Sequence, residues 1–383
     1  MKILYTLDSG IIGGMELHVN NLVEAMIKEN HKVFVWCRKG SISEYFKKSG
    51  AQVFYKKIAF DICPRYIISL RRFLKKEHID IVHAHELKAG ANTLIAAFLA
   101  GTPVKITHTH TPISEWQVPN KLKKFITYFT IKFYARLVNM FSTKEIALTE
   151  SRKKAKMSEG IKENKLEVIP NGVNTQKFDI SHDLKKEYRN QILARYNMPP
   201  DAFVIGNIGR ITEEKGHAVL LEAFSRFFTT LNDGQKEKTY LFFGGGGHLQ
   251  DEITALAEKL QTSDNLIITG VFEEEDQVKF YSTLDLFVFP SLAEGFGLVL
   301  IEAMSSKIPV ICSDLPVLKE VGSDTVCYFK RGDVNDLQNK ISMFYKGKIG
   351  SLKEKAFERV ESEYSLESFG RNYLNLYREL LKI

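Results

Sequence analysis

Short apolar runs rich in branched and aromatic residues alternate along this chain with helix-length amphipathic stretches, and the alternation runs through twice. In the first half the runs are KILYTL, KVFVWC, AQVFY, IDIVHAH and VKITHTH, separated by helical stretches such as MELHVNNLVEAMIKEN and PRYIISLRRFLKKEH. Strand, helix and strand in that order make a βαβ unit, and a series of them makes a parallel sheet covered on both faces. The pattern restarts with FVIGNIGR, TYLFFGG, NLIITG, LDLFVFP and PVICSD, interleaved with GHAVLLEAFSRFFTTL, HLQDEITALAEKL and DQVKFYSTL. A chain of 383 residues exceeds one ordinary core. The expectation is an α/β protein of two doubly wound domains, residues 1–177 and 178–365, with the polar stretch NTQKFDISHDLKKEY as linker.

Composition narrows the class. The start, MKILYTLDSG, reads as a strand and has no small-residue cleavage site. The longest notable uncharged stretch, Ala89 to Val104, is about 16 residues and falls short of the roughly 20 that span a bilayer. Cys37, Cys63, Cys312 and Cys327 show no C-x-x-C spacing, so neither a zinc framework nor a disulfide scaffold is expected, and a reduced, cytoplasmic setting follows. The net charge of +7 is unevenly spread: residues 1–180 hold 29 Lys+Arg and 16 Asp+Glu, a balance of +13. The basic half suggests an anionic partner such as a lipid surface, a phosphorylated acceptor or nucleic acid.

In open parallel sheets ligands bind beyond the carboxyl ends of the strands, so loops that follow strands carry the information. The first, DSGIIGGMELHV, places Gly13 and Gly14 at a helix start, where amides face an anion or simply make a tight turn. GNIGRITEEKG puts Arg210 and Lys215 after the first strand of the second domain, suited to phosphate oxygens, though such residues are often plain solvated surface. FFGGGGHL sets Gly244 to Gly247 at another strand end, either for close ligand approach or as a flexible turn. No Walker pattern or dinucleotide glycine fingerprint occurs. PSLAEGFGLVLIEAM is the most telling stretch. The amides of Gly295, Phe296 and Gly297 open a helix whose dipole favours phosphate. Glu294 lies in that loop, and Glu302 interrupts an otherwise apolar helix, well placed to accept from a diol. His83/His85 and His108/His110 form two H-x-H pairs whose side chains share a strand face. They offer hydrogen bonds into a cleft, belong to the core, or hold a metal with Glu86. VPNKLKKFITYFTIKFYARLVNMFS reads as a membrane-surface helix or as a core-facing amphipathic helix with a basic outer side.

Taken together, these motifs resemble the family 4 retaining glycosyltransferases over nearly the whole chain. The resemblance rests on Gly13-Gly14 followed by Glu, DIVHAH, VIPNGV, GRITEEKG, the glycine cluster and the Glu294–Glu302 spacing. It implies the GT-B fold, two Rossmann-like domains facing across a deep cleft, with SLESFGRNYLNLYRELL (residues 366–383 in the domain division) crossing back to the first. It also implies site roles. Arg210 and Lys215 match the pair that holds the donor diphosphate and stabilises the leaving group, and Glu294 the glutamate near the reacting carbon. Glu302 matches the ribose-binding glutamate, and Gly295, Phe296, Gly297 and Leu298 the amides at the phosphate. Gly14 matches the loop facing donor and acceptor, and His110 the first-domain histidine near the donor sugar, with His108 the alternative register. Asn171, Gly209, Gly245 and Gly246 are carried over as further donor-binding positions. Where many members have Gly-Asp-Gly or Gly-Glu-Gly, this chain has glycines alone.

The expected reaction is transfer of a hexosyl or N-acetylhexosaminyl group from a UDP- or GDP-linked donor, a co-substrate, to a hydroxyl on a glycan or lipid-linked acceptor. Fixed cations and amides would stabilise the departing diphosphate. No D-x-D occurs, so the transfer is expected to be metal-independent and without a cofactor. The competing expectation is a metal-dependent hydrolase built on His83/His85 and His108/His110. A nucleic-acid module is disfavoured by buried parallel strands, and peripheral membrane contact through the basic first domain is expected instead.

Overall fold

The computed structural model describes residues 1–110 and 121–383, side chains of 121–125 apart. The chain divides into two compact units, Met1–Gly172 with Leu366–Ile383, and Val173–Ser365.

The first unit is built on a seven-stranded parallel sheet. Its strands are β1 (Lys2–Thr6), β2 (Lys32–Cys37), β3 (Gln52–Tyr55), β4 (Ile81–His85), β5 (Val104–His108), β6 (Lys144–Ala147) and β7 (Leu166–Val168). They lie in the order β3-β2-β1-β4-β5-β6-β7, so the order reverses between β1 and β4. Alternation of side chains explains why these runs are apolar throughout. Ile3 and Tyr5 of β1 enter one core layer with Val19, Leu22, Val23, Phe369, Tyr373 and Tyr377. Leu4 enters the opposite layer with Phe34, Trp36, Leu70, Leu74 and Val82. The last helix, Leu366–Leu381, therefore belongs to the first unit, its Phe369, Tyr373 and Tyr377 spaced to share one buried face. Tyr377 completes the attachment: its hydroxyl lies 2.8 Å from His83 Nδ1 and 3.3 Å from the Tyr5 hydroxyl.

The second unit has six parallel strands, β8 (Phe203–Ile208), β9 (Thr239–Gly244), β10 (Leu266–Ile268), β11 (Leu286–Phe289), β12 (Val310–Ser313) and β13 (Cys327–Phe329). Their order is β10-β9-β8-β11-β12-β13, with the reversal between β8 and β11.

Two sequence expectations change. The polar stretch expected as a linker is helical, Thr175–Phe178 and His182–Arg195, and belongs to the second unit. Phe178 meets the Tyr281 ring at 5.5 Å, and Arg189 pairs with Asp285 at 3.1 Å, so the division falls after Gly172 rather than after residue 177. The helix Lys121–Phe141 packs one face into the core, as the core-facing reading expects, but its outer side is more apolar than that reading supposes. Tyr134, Ala135, Leu137 and Val138 are buried, while Ile126, Tyr128, Phe129, Phe133 and Met140 are exposed. No described helix is long and apolar enough to cross a membrane.

The carboxyl end of β5 is braced by a fully buried ion pair, Glu145 on β6 with Lys156 on the helix Glu150–Glu159. Glu145 also accepts from the Thr109 amide at 3.2 Å, the Thr109 hydroxyl at 2.8 Å and the Tyr134 hydroxyl at 3.2 Å. Burial alone would raise its carboxyl, but Lys156 and these donors hold it below the ordinary glutamate range. Removing one charge leaves the other buried and uncompensated, at about 3–5 kcal/mol, whereas replacing both with apolar residues of similar volume is far less costly. Glu145→Leu and Lys156→Met should each lower the urea midpoint strongly, and the double variant should be more stable than either single. A double variant no better than the worse single would show that the charges act separately.

Candidate active site

At the reversal in the second sheet, the loop after β8 (209–216) meets the loop after β11 (290–297). The Glu214 carbonyl accepts from the amides of Leu292 at 2.8 Å and Ala293 at 3.4 Å. Gly216 sits at φ 70° against this seam, where a Cβ would lie 2.2 Å from the Pro290 carbonyl oxygen. Only glycine fits both the backbone angle and the space. The seam brings Lys215 and Glu294 into a short ion pair, with 20% and 9% of their side chains exposed. The Ser291 hydroxyl donates to the same Glu294 oxygen at 3.0 Å. Arg210 does not join them: its side chain is 78% exposed and, among the described residues, its ion pair is with Glu214, at 3.8 Å.

The helix Leu298–Ser305 begins directly after this loop and has no side-chain cap. Gly297 turns the chain at φ 99°, where a Cβ would lie 2.7 Å from Leu318. The first amides of such a helix have no partner within it and carry the positive end of the dipole. The Phe296 ring is buried and packs against Tyr364 at 5.8 Å. One turn on, Glu302 Oε2 accepts from the Tyr281 hydroxyl at 2.9 Å and the Gln277 amide at 3.0 Å. Burial pushes the Glu302 carboxyl up to about 7, against the pull of Tyr281, Lys177 and Gln277.

The glycines after β9 are explained by neighbouring backbone. A Cβ on Gly245 would lie 2.0 Å from the Gly209 carbonyl oxygen, and one on Gly247 2.2 Å from that of Ile211. The two loops are hydrogen-bonded, Gly209 N to Gly244 O at 2.9 Å and Ile211 N to Gly246 O at 3.0 Å. Gly246 packs beside Gly270 and Val271. Close approach is indeed what these glycines permit, and the approaching main chain is the protein's own.

In the first unit the corresponding reversal lies between β1 and β4. Gly14 starts the helix Gly14–Lys28 with no side-chain cap. Glu86 follows β4 at φ 69°, a left-handed angle that costs a non-glycine residue energy and marks a constrained position. Beside it gather His18, His85, His108 and His110, each offering one ligand nitrogen, all within 4.8 Å of one another. His108 and His110 stack at 3.9 Å, and His85 Nδ1 lies 3.3 Å from His110 Nε2. His83 stacks on His85 at 4.4 Å, but its Nδ1 is engaged by Tyr377. Asn171, expected at the donor, is buried and pairs with His18 Nδ1 at 2.8 Å. Burial lowers His18 to about 4 and drives His85, His108 and His110 well below the ordinary histidine range, aided by repulsion among the imidazoles. All four are neutral near pH 7.

Sequence reading passed over His18, Glu145 and Lys156. The signal for His18 was its place one turn into the helix after Gly13-Gly14, and for Glu145 a carboxylate inside a strand. Glu86 was noted only as a neighbour.

This geometry meets clear counterparts among known proteins. Residues 12–177 match Glycosyltransferase Family 4, and residues 189–360 match Glycosyl transferases group 1. The capsular polysaccharide biosynthesis glycosyltransferase CapM of Staphylococcus aureus is 26% identical over 379 residues, covering 94% of this chain and 93% of CapM. The Escherichia coli UDP-Gal:α-D-GlcNAc-diphosphoundecaprenol α-1,3-galactosyltransferase is 26% identical over 324 residues, covering 82% of this chain and 80% of its own. In structure, Anabaena HepE in complex with UDP superimposes with a TM-score of 0.84 at 19% identity, covering 99% of this chain and 100% of HepE. The two parallel α/β sheets and the final helix on the first unit define a GT-B protein. The chain belongs to the family 4 glycosyltransferases and is a nucleotide-sugar glycosyltransferase. That assignment displaces the hydrolase built on the H-x-H pairs.

Glu302 yields a test of the site's electrostatics. Its carboxyl is raised to about 7 in the folded chain from an ordinary value of 4.5. The stabilising contribution is therefore fully present below pH 4.5 and lost as pH rises through 7, on the order of 3 kcal/mol at 1.36 kcal/mol per pKa unit. Glu302→Gln should remove this loss, so the stability difference between variant and parent should grow in the variant's favour from pH 4.5 to 8 in urea titrations. A difference that stays flat across that range would show an unperturbed carboxyl.

Proposed function

We propose that this chain transfers a hexosyl unit from a UDP-linked sugar to a hydroxyl of a lipid-linked or growing cell-surface glycan, with retention and with side chains and amides in place of a metal at the diphosphate. The observation that carries the reading is the Lys215–Glu294 pair, held beside an uncapped helix start at a sheet reversal. Without a donor the two charges neutralise each other. A diphosphate would compete for the Lys215 ammonium and accept from the amides of Phe296, Gly297 and Leu298, which releases Glu294 toward the sugar. Charge developing on the departing diphosphate then meets fixed positive groups, the most effective form of electrostatic assistance. Arg210, extended into solvent, is free to close onto the outer phosphate oxygens. Glu302, whose Oε1 has no hydrogen-bond partner among the described residues, receives the ribose hydroxyls.

His110 is assigned to the donor-sugar side of the first unit, with Gly14 at the adjacent helix start and Asn171 acting through His18. Two relatives' names support the substrates: the E. coli enzyme's names UDP-Gal and a diphosphoundecaprenol acceptor, and HepE was crystallised with UDP. For the acceptor, a cavity of about 640 Å³ in the first unit is lined by Glu86, Leu87, Ala91, Phe129, Phe133 and Tyr134. Its apolar wall continues into the exposed side chains of the helix Lys121–Phe141, beside Lys132 and Arg136, a setting suited to a lipid acceptor at the inner face of a membrane.

Glu294→Ala and Lys215→Ala should abolish transfer from UDP-sugars with the circular dichroism spectrum unchanged. Arg210→Ala should weaken UDP binding by roughly 10- to 100-fold, the range of a hydrogen bond to a charged group. Undiminished turnover in the Glu294 or Lys215 variant would overturn the assigned roles. Membrane contact is tested separately by flotation: the protein should rise with vesicles rich in anionic lipid, less so when Phe129 and Phe133 are replaced by Ser, and without preference for anionic lipid when Lys132 and Arg136 are replaced by Gln.

A further inference from the structure

We propose that His18, His85, His108 and His110 form a binding site for one late divalent transition-metal ion, of the zinc type, inside the first unit. The four imidazoles come from three separate elements: the helix Gly14–Lys28, the end of β4, and the end of β5 with the residues just after it. Their ligand nitrogens all lie within 4.8 Å of one another. Nitrogens bound to one tetrahedral zinc at about 2.0–2.1 Å stand roughly 3.4 Å apart. Closing the difference requires the stacked rings of His108 and His110 to turn apart, so that each directs a nitrogen at the ion in its own plane.

Unsatisfied nitrogens supply the second argument. His18 Nε2, His85 Nε2 and both ring nitrogens of His108 are buried without a hydrogen-bond partner among the described residues. The three side chains are at least nine-tenths buried. Leaving so many polar atoms of one cluster unpaired is unfavourable, and a metal would satisfy one nitrogen on each ring. The tautomer of His18 is already set for this: its Nδ1–H donates to Asn171 Oδ1, which leaves a lone pair on Nε2. A carbonyl behind the ring in this way orients metal-binding histidines.

The ligand chemistry selects the ion. A set of imidazoles with no carboxylate suits Zn²⁺, Co²⁺, Ni²⁺ or Cu²⁺ and not Mg²⁺ or Ca²⁺. His83, tied to Tyr377, is outside the set although it belongs to the same H-x-H pair as His85. One consequence rests on the role proposed above for His110. An ion that engages His110 withdraws it from the donor sugar, so occupancy inhibits transfer.

The test uses untagged full-length protein, stripped by chelator and titrated with Co²⁺. One equivalent should produce the visible absorption of a tetrahedral nitrogen site, which Zn²⁺ bleaches and Mg²⁺ leaves unchanged. His18→Asn and His108→Gln should each weaken Co²⁺ binding by at least tenfold, while His83→Gln should retain it. Because buried variants are prone to misfold, the melting temperature with and without Zn²⁺ is read in parallel, and the parent should rise by a few degrees where folded His18→Asn does not. No absorption and no thermal shift with 0.1 mM metal, on the order of a weak surface site, would overturn the site, as would full binding in folded His18→Asn. Binding without inhibition of transfer would keep the site and refute the consequence drawn from His110.

Discussion

Where the order of a parallel sheet reverses, the two adjacent strands send their following helices to opposite faces, and the loops above them part. Each unit of this chain has one such place, between β1 and β4 and between β8 and β11. Both are occupied by residues that a folding chain would otherwise avoid burying. In the second unit they are a lysine and two glutamates; in the first, a group of imidazoles beside a glutamate held at φ 69°. The topology supplies the opening, and the cost of filling it with polar groups is met by the apolar layers on either side of each sheet.

The glycines show how tightly those openings are drawn. Gly216, Gly245 and Gly247 each face a carbonyl oxygen at a distance that no Cβ tolerates. They join the loop after β8 to its neighbours on both sides, so Lys215 is presented by a rigid seam and not by a mobile turn. Arg210, between Gly209 and Ile211, has its main chain within the same seam but extends its side chain into solvent. A paired, mostly buried cation and a solvent-exposed one suit the two different tasks proposed for them at the diphosphate.

Much of this was legible in the sequence. Strand-length apolar runs announced two parallel sheets because strands covered on both faces have no polar side to show. Glu294 and Glu302 stood out because each broke an apolar or glycine-rich context. The rest depended on distances along the chain that no local pattern records. His18 precedes β4 by more than sixty positions, yet it meets the histidines of β4 and β5 because its helix lies over them. The stretch NTQKFDISHDLKKEY misled for the opposite reason: Thr175 and Phe178 are its buried residues, and the helix His182–Arg195 buries Ile192 and Leu193 only beyond it, so the stretch looks like a polar linker. The glycine run was read toward a ligand because local sequence says only that something comes close, never what.

Glu294 and Glu302 answer to different surroundings although eight positions separate them. Glu294 faces a cation and a hydroxyl across a seam of backbone. Glu302 is reached by two neutral donors inside an apolar helix, and burial raises it to about 7. A carboxyl poised there changes charge over the range in which a diol decides whether to donate to it. Hydroxyl donors that favour the ionised form pull such a group back toward its ordinary value, and the work of ionisation is drawn from binding. On the role proposed for Glu302, binding of ribose hydroxyls there should therefore strengthen with rising pH, whereas Glu294 is already engaged by Lys215.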